Sequence, residues 1–100
     1  MRRGTTPTVT IYVTGCELSD FDTIYVTFRQ DMKIIDKTGD AISVNGNTVK
    51  VFLSQTDTLM FDSSKRSVEV QLRAVNEGGV AIASNIRQVP VESILKEGVI

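Results

Sequence analysis

The feature that most constrains this chain is a two-residue alternation of apolar and polar side chains, which recurs in several short segments. In residues 8–14, Val9, Ile11 and Val13 alternate with threonines and a tyrosine, and residues 23–30 and 67–75 repeat the pattern. Successive side chains of a strand point to opposite faces of a sheet, so this period is typical of strands with one buried face. No strand-helix-strand crossover separates these segments. The sequence therefore predicts antiparallel sheets.

Turn sequences divide the chain into about seven strands. Asn45-Gly46 is expected to supply the positive-φ positions of a type I′ hairpin turn, and residues 77–79 predict a second hairpin. The alternation after that turn falters at Ser84-Asn85 and resumes with Ile86, which indicates a bulge or a change of partner strand. Pro90 ends the last strand because it has no N–H to donate. The pattern predicts an immunoglobulin-like antiparallel β-sandwich, without the Cys-Trp-Cys hallmark of antibody domains.

One short helical turn is expected near residues 54–60. Ser54 can accept a backbone N–H at the N-cap, and Asp57 follows three residues later, as in a capping box. Leu59 and Phe61 are expected to enter the core after this turn. The segment therefore indicates a scaffold element that bridges the two sheets rather than a site.

The chain of 100 residues is long enough for one domain with a two-layer core. Residues 1–7 are predicted to form an extended N-terminal arm, residues 8–90 the sandwich domain, and residues 91–100 a C-terminal tail or a short amphipathic turn. No apolar segment follows Arg2-Arg3, so no signal peptide is predicted. Cys16 is the only cysteine, which excludes an intramolecular disulfide. Synthesis and folding in a reducing cytoplasm are expected.

Composition and charge argue against several classes of function. Histidine is absent, which excludes Ser-His-Asp and Cys-His catalysis and imidazole metal sites. The net charge of −1 argues against a general nucleic-acid binder, which needs a basic surface to neutralise phosphates. No apolar run approaches the roughly 20 residues that span a bilayer. Neither nucleic acid nor membrane is therefore expected as a partner.

The residues that could carry chemistry have better structural explanations. Ser19, Asp20 and Asp22 offer too few oxygens for a calcium ion, which needs about six or more. Cys16 has no basic neighbour in sequence that would activate its thiol. Residues 63–65 contain Ser and Lys side by side, but adjacency in a polar loop does not create a catalytic pair. No catalytic, cofactor-binding or metal-ligating residue is predicted, and the chain is not expected to be an enzyme.

Three aromatic side chains are predicted to point away from the core. These are Tyr12, Tyr25 and Phe52, each at an outward position of an alternating segment. If the strand order gathered them on one face, they would form a patch for protein binding or self-association. The sequence leaves the strand order open.

Several segments carry a resemblance to a known group of proteins. They are residues 2–8 (RRGTTPT), 53–59 (LSQTDTL), 83–86 (ASNI) and 94–100 (ILKEGVI). With them the chain resembles small phage and prophage proteins of Gram-positive bacteria of the Firmicutes type, associated with the tail or baseplate. It is also similar in style to the N-terminal domain of baseplate upper proteins. The resemblance covers nearly the whole chain and implies a complete small structural protein, made in the host cytoplasm and carried into the virion tail.

Two functional hypotheses follow. The first is a non-enzymatic structural protein that contacts other virion components or itself, with residues 2–7 and 91–100 as docking segments. The alternative is an immunoglobulin-like module that recognises a carbohydrate or a protein on a cell surface through the loops at 15–22 and 62–66. The sequence does not distinguish the partner or the oligomeric state.

Overall fold

The structure is a computed structural model that describes all residues from Met1 to Ile100. It contains eight strands: β1 Thr8–Tyr12, β2 Thr23–Gln30, β3 Lys33–Lys37, β4 Ile42–Asn45, β5 Thr48–Phe52, β6 Ser67–Val75, β7 Ala81–Ala83 and β8 Arg87–Pro90. One helix, α1, spans Gln55–Leu59, and three 3-10 turns span Leu18–Asp20, Gly39–Ala41 and Ser63–Lys65. With only five residues, α1 is too short to cross a membrane, and no other α-helix is present.

The strands form two antiparallel sheets. One has the order β1-β5-β4, and the other has the order β3-β2-β6, with β7 and β8 both paired to the far side of β6. The predicted antiparallel β-sandwich and its helical turn are confirmed, with eight strands because the last one is divided. The strand order differs from that of an antibody constant domain. There the second strand lies between the first and the fifth, whereas here β2 forms a hairpin with β3 in one sheet.

The core lies between the two sheets and uses the alternating residues of three strands. The buried side chains of β2, β5 and β6 are Ile24, Val26, Phe28, Val49, Val51, Val68, Val70, Leu72 and Ala74. Leu18 and Phe61, from the connections, are almost fully buried and close the ends of this layer. The inward positions predicted in β2, β5 and β6 are confirmed, as is Phe61, while Leu59 is only half-buried.

The hairpin between β4 and β5 is confirmed, but its turn type was predicted wrongly. Asn45 pairs with Thr48, so the two turn residues are Gly46 and Asn47. Gly46 has a φ of +62°, and Asn47 does not have a positive φ. A positive φ at the first central position only is the mark of a type II′ turn, which favours Gly there.

A bulge separates β7 from β8 along the same side of β6. Arg73 faces Ala83 and Val70 faces Arg87, so three residues, 84–86, oppose only two residues of β6. Ser84 spans the gap, since its N–H donates to the Leu72 carbonyl at 2.8 Å and its hydroxyl accepts the Leu72 N–H at 2.9 Å. The predicted break is therefore a bulge without a change of partner.

The bulge also changes which side chains point inward after it. Ile86 is 52% exposed and lies on the outer face beside Glu69 and Gln71. The expectation that the inward alternation resumes at Ile86 is wrong, because the inserted residue turns it outward. Val89, half-buried against the core, takes the inward position instead.

The two terminal segments lie against each other on the domain. The Arg3 N–H donates to the Glu92 carbonyl, and the Glu92 N–H donates to the Met1 carbonyl, both at 3.0 Å. The Arg3 guanidinium also donates to the carbonyl of Phe61 at 2.7 Å. The fully buried Thr58 also holds the N-terminal segment, since its hydroxyl donates a hydrogen bond to the Thr5 carbonyl at 2.9 Å. Both proposed docking segments are thus engaged within the chain.

Candidate protein-binding edge

The first strand, β1, has β5 on one side and no strand on the other. The Val13 N–H donates to the Asn47 carbonyl at 2.9 Å, so the odd-numbered residues of β1 bond to β5. Successive residues of an antiparallel strand bond to opposite sides, so Thr8, Thr10 and Tyr12 direct their N–H and C=O groups outward. We call these outward groups the β1 edge. Such a row of unpaired groups is a template for another strand.

A side cleft of about 510 Å³ opens between the two sheets next to the β1 edge. Apolar side chains of residues 9–13 and of the opposite sheet line it: Val9, Ile11, Val13, Val70, Leu72 and Val89. The three from residues 9–13 are only half-buried, whereas Val49 and Val51 of the neighbouring β5 have no exposed surface. The sandwich is therefore less closed along this side, and an added strand would complete it.

Each of the other edge strands carries a feature that hinders strand addition. β3 contains three charged residues among its five. β4 is four residues long, and the 3-10 turn Leu18–Asp20 packs against it. β7 and β8 are interrupted by the bulge and end at Pro90. By contrast, residues 8–14 contain neither charge nor proline. The β1 edge is the most accessible edge of the sandwich.

Two cations lie near the β1 edge without an anionic partner. Lys50 faces Thr10 on the outer side of the sheet, and Arg87 lines the side cleft. Neither takes part in any of the ion pairs of the structure. The edge between them is neutral, so an incoming strand would meet hydrogen-bonding groups and apolar side chains.

The residues weighed for chemistry in the sequence have structural roles. The Ser19 hydroxyl donates to the Glu17 carboxylate at 2.6 Å, and the Asp22 N–H donates to the Val75 carbonyl at 3.1 Å. Nowhere do three or more Cys, Asp or Glu side chains gather in a way that could hold a metal ion. Cys16 is half-buried and packs against the core. The structure does not bring these residues together into a site.

The carboxylates at the two capped turns are held by backbone donors. Asp57 and Ser54 form the predicted capping box, which is confirmed. The Asp62 carboxylate accepts the Ser64 N–H at 2.9 Å and caps the 3-10 turn Ser63–Lys65. This hydrogen bond lowers the pKa of Asp62 below its usual range. The adjacent Ser and Lys of this turn are therefore part of a capped surface turn.

The three outward aromatic side chains do not form one patch. Tyr12 and Phe52 share the outer face of the three-stranded sheet but lie at opposite ends, because Thr8 is the residue that faces Phe52. Tyr25 lies on the outer face of the other sheet, beside Arg73. The sequence left open whether the three share one face, and the structure shows that they do not.

No protein-family model matches the chain, and no curated protein matches its sequence. The resemblance to phage tail proteins stays a prediction, and the candidate site rests on the geometry. Sequence reasoning missed the β1 edge, although the uncharged segment 8–14 was visible. The missing information was the strand order, which alone shows that β1 has a free side.

Proposed function

We propose that this chain is a non-enzymatic assembly module that binds protein partners by strand addition at the β1 edge. The observation that carries the proposal is the unprotected edge beside a cleft with half-buried apolar walls. An added strand gains main-chain hydrogen bonds from Thr8, Thr10 and Tyr12. Its inward side chains cover Val9 and Ile11, and the fit of these side chains adds specificity.

Apolar burial adds to the affinity that the main-chain hydrogen bonds supply. A main-chain hydrogen bond exchanges with water and contributes about 0.5–1.5 kcal/mol net. Each Å² of apolar surface removed from water contributes about 25 cal/mol. The half-exposed side chains of β1 and the apolar walls of the side cleft are therefore as important as the edge itself. A partner strand with alternating apolar residues fits both.

The resemblance supports a role for this module in the tail or baseplate of a phage or prophage. In that setting the partners are other virion components or further copies of the chain. The terminal segments are less suited to docking, because Arg3 and Thr58 hold them on the domain. The loops of the alternative hypothesis are also engaged: Leu18 is buried in one, and Gln30 bonds to the backbone of the other at Asp62.

A matched pair of charge substitutions tests the proposal. Thr10 and Ser43 face Lys50 from its two sides, so Thr10→Glu and Ser43→Glu each place a carboxylate beside the same lysine. The wild type and both variants are co-expressed with the proteins encoded by the neighbouring genes, and complexes are quantified by purification. We expect Thr10→Glu to weaken a complex at least tenfold and Ser43→Glu to leave it intact.

Two results would contradict the proposal. Equal binding by both variants would exclude the β1 edge as the contact. Loss of binding only after substitution in residues 15–22 or 62–66, with glycan binding by the wild type, would favour the surface-recognition alternative. Thermal unfolding of both variants controls for folding, and we expect similar midpoints because each new carboxylate faces Lys50.

A further inference from the structure

We infer that the partner at the β1 edge is β1 of a second copy of this chain, paired antiparallel about a two-fold axis at Thr10. This inference rests on the proposed function and specifies its partner. Read from either end, β1 alternates hydroxyl-bearing side chains with apolar ones. Its outer positions are Thr8, Thr10 and Tyr12, and its inner positions are Val9 and Ile11. A self-complementary surface is what a two-fold interface requires.

The two-fold axis brings matching groups together. Thr10 lies opposite Thr10 of the second copy, and Thr8 lies opposite its Tyr12. Each of these pairs joins two residues whose backbone groups point outward, which gives about six main-chain hydrogen bonds. On the inner side, Val9 lies opposite Ile11 of the second copy. The two three-stranded sheets become one continuous sheet of six strands, and its apolar face extends over the side cleft.

The charges near the edge permit this pairing. Lys50 is the nearest charged residue on the outer face, directly opposite Thr10 in β5. In the pair, the two copies of Lys50 are separated by three strand spacings, about 14 Å. This exceeds the Debye length of about 8 Å at physiological salt, so their repulsion is weak. The same pairing of β3 about Ile35 would set Lys33 against Lys37 of the second copy, which is unfavourable.

A stable dimer of this chain needs an interface of about 20–30 residues on each side. A standard interface buries about 800 Å² per partner, roughly one-eighth of the 6297 Å² surface of this chain. The side cleft and the edge beside it involve 15 of the 100 residues, the 14 that line the cleft and Thr8. The interface must therefore also include residues that flank the edge and the cleft.

Cysteine cross-linking tests the pairing and its register in the full chain, with Cys16→Ser as the background. We expect Thr10→Cys to form a covalent dimer on mild oxidation, because directly opposed residues have Cα atoms about 5.5 Å apart. We also expect a mixture of the Thr8→Cys and Tyr12→Cys proteins to cross-link. Thr8→Cys alone is expected not to, since its two copies lie about 13 Å apart. Ser43→Cys on β4 is the matched control.

Two results of this experiment would overturn the inference. One is cross-linking of Thr10→Cys no faster than that of Ser43→Cys. The other is preferential cross-linking of Thr10→Cys with Tyr12→Cys, which would indicate a different register. Sedimentation equilibrium adds an independent measurement. The wild type is expected at twice the chain mass of 11.0 kDa, and Thr10→Glu, but not Ser43→Glu, is expected to raise the dissociation constant at least tenfold.

The same variants separate this inference from the proposed function. If the wild type is a monomer and Thr10→Glu still abolishes binding to a neighbouring virion protein, the partner inference fails and the proposed function stands. If the wild type is a monomer and Thr10→Glu changes no binding, both fail.

Discussion

Lys37 and Asp57 connect the edge of the five-stranded sheet to the helical turn, with the Lys37 Nζ 2.7 Å from the Asp57 Oδ2. The same carboxylate oxygen accepts the Ser54 N–H at 2.8 Å. Partial burial alone would raise the pKa of Asp57, but the hydrogen bonds from Lys37 and Ser54 outweigh it and lower the pKa. One side chain thus caps α1 and fixes its position against β3.

This arrangement predicts a pH-dependent contribution to stability. Because the pKa of Asp57 is lower in the folded state, its carboxylate stabilises the fold above the unfolded-state pKa of about 3.9. The contribution is lost as the pH falls through the lower folded-state pKa. We expect Asp57→Asn to reduce the free energy of unfolding by about 1 kcal/mol at pH 7, after allowance for solvent screening. Urea unfolding at pH 7 and pH 2 should show the difference disappear in acid.

The exposed ion pair of Arg29 with Glu69 provides the control, since its nitrogen and oxygen are 2.9 Å apart at the surface. Glu69→Gln is expected to cost no more than about 0.5 kcal/mol. A difference between the wild type and Asp57→Asn that is the same at both pH values would contradict the role assigned to Asp57.

Gln30 is the most buried polar residue of the strands, and its amide holds the connection before β6. It accepts the Asp62 N–H at 2.6 Å and donates to the carbonyls of Asp62 and Ser67 at 2.8 and 3.2 Å. Gln30→Leu leaves these backbone groups without partners, and we expect a loss of about 1–3 kcal/mol in unfolding free energy. Arg29→Leu, on the exposed face of the same strand, should cost less than about 1 kcal/mol. Equal losses in chemical denaturation would refute this assignment.

Arg66 has φ +70° and ψ −38°, a sparsely populated backbone conformation that costs a residue with a Cβ about 1–3 kcal/mol. We therefore expect Arg66→Gly to raise the free energy of unfolding. The gain should be about 1 kcal/mol or less, because glycine has more conformational freedom to lose from the unfolded chain. Ser64→Gly, in the same connection without a positive φ, is the control and should lower stability. A lower melting temperature for Arg66→Gly than for the wild type would be the opposite of this expectation.

The sequence predicts the strands well because the two-residue period depends only on which residues face the core. Val26, Val51 and Leu72 could be assigned inward without knowing which strands pair. Pairing depends on contacts far apart in the chain, so the free side of β1 could not be predicted. Ile86 was misassigned for a related reason. The break in the alternation shows that a bulge exists but not which residue is inserted, and the inserted residue decides the face on which Ile86 lies.

The bulge itself is open to a direct test by deletion of Asn85. Ser84 remains opposite Leu72, and Ile82 and Val89 keep their inward positions when one residue is removed. We expect residues 81–90 to form one regular edge strand, which is more prone to pair with other chains. Sedimentation velocity should then show species larger than a dimer that grow with concentration. Asn85→Ala keeps the bulge and should not form these larger species. A deletion variant that stays at the wild-type size would refute the expectation.

The interrupted strand β7–β8 has a consequence for the valence of the module. A sandwich with two open edges can add copies at both sides, and repeated addition produces filaments without a defined end. When two copies pair, the β1 edge of each copy is occupied. The bulge and Pro90 hinder the addition of a further strand to β7 and β8. In the proposed assembly each chain therefore has a valence of one, and association stops at the pair. A residue inserted across the side cleft from β1 thereby sets how many copies join.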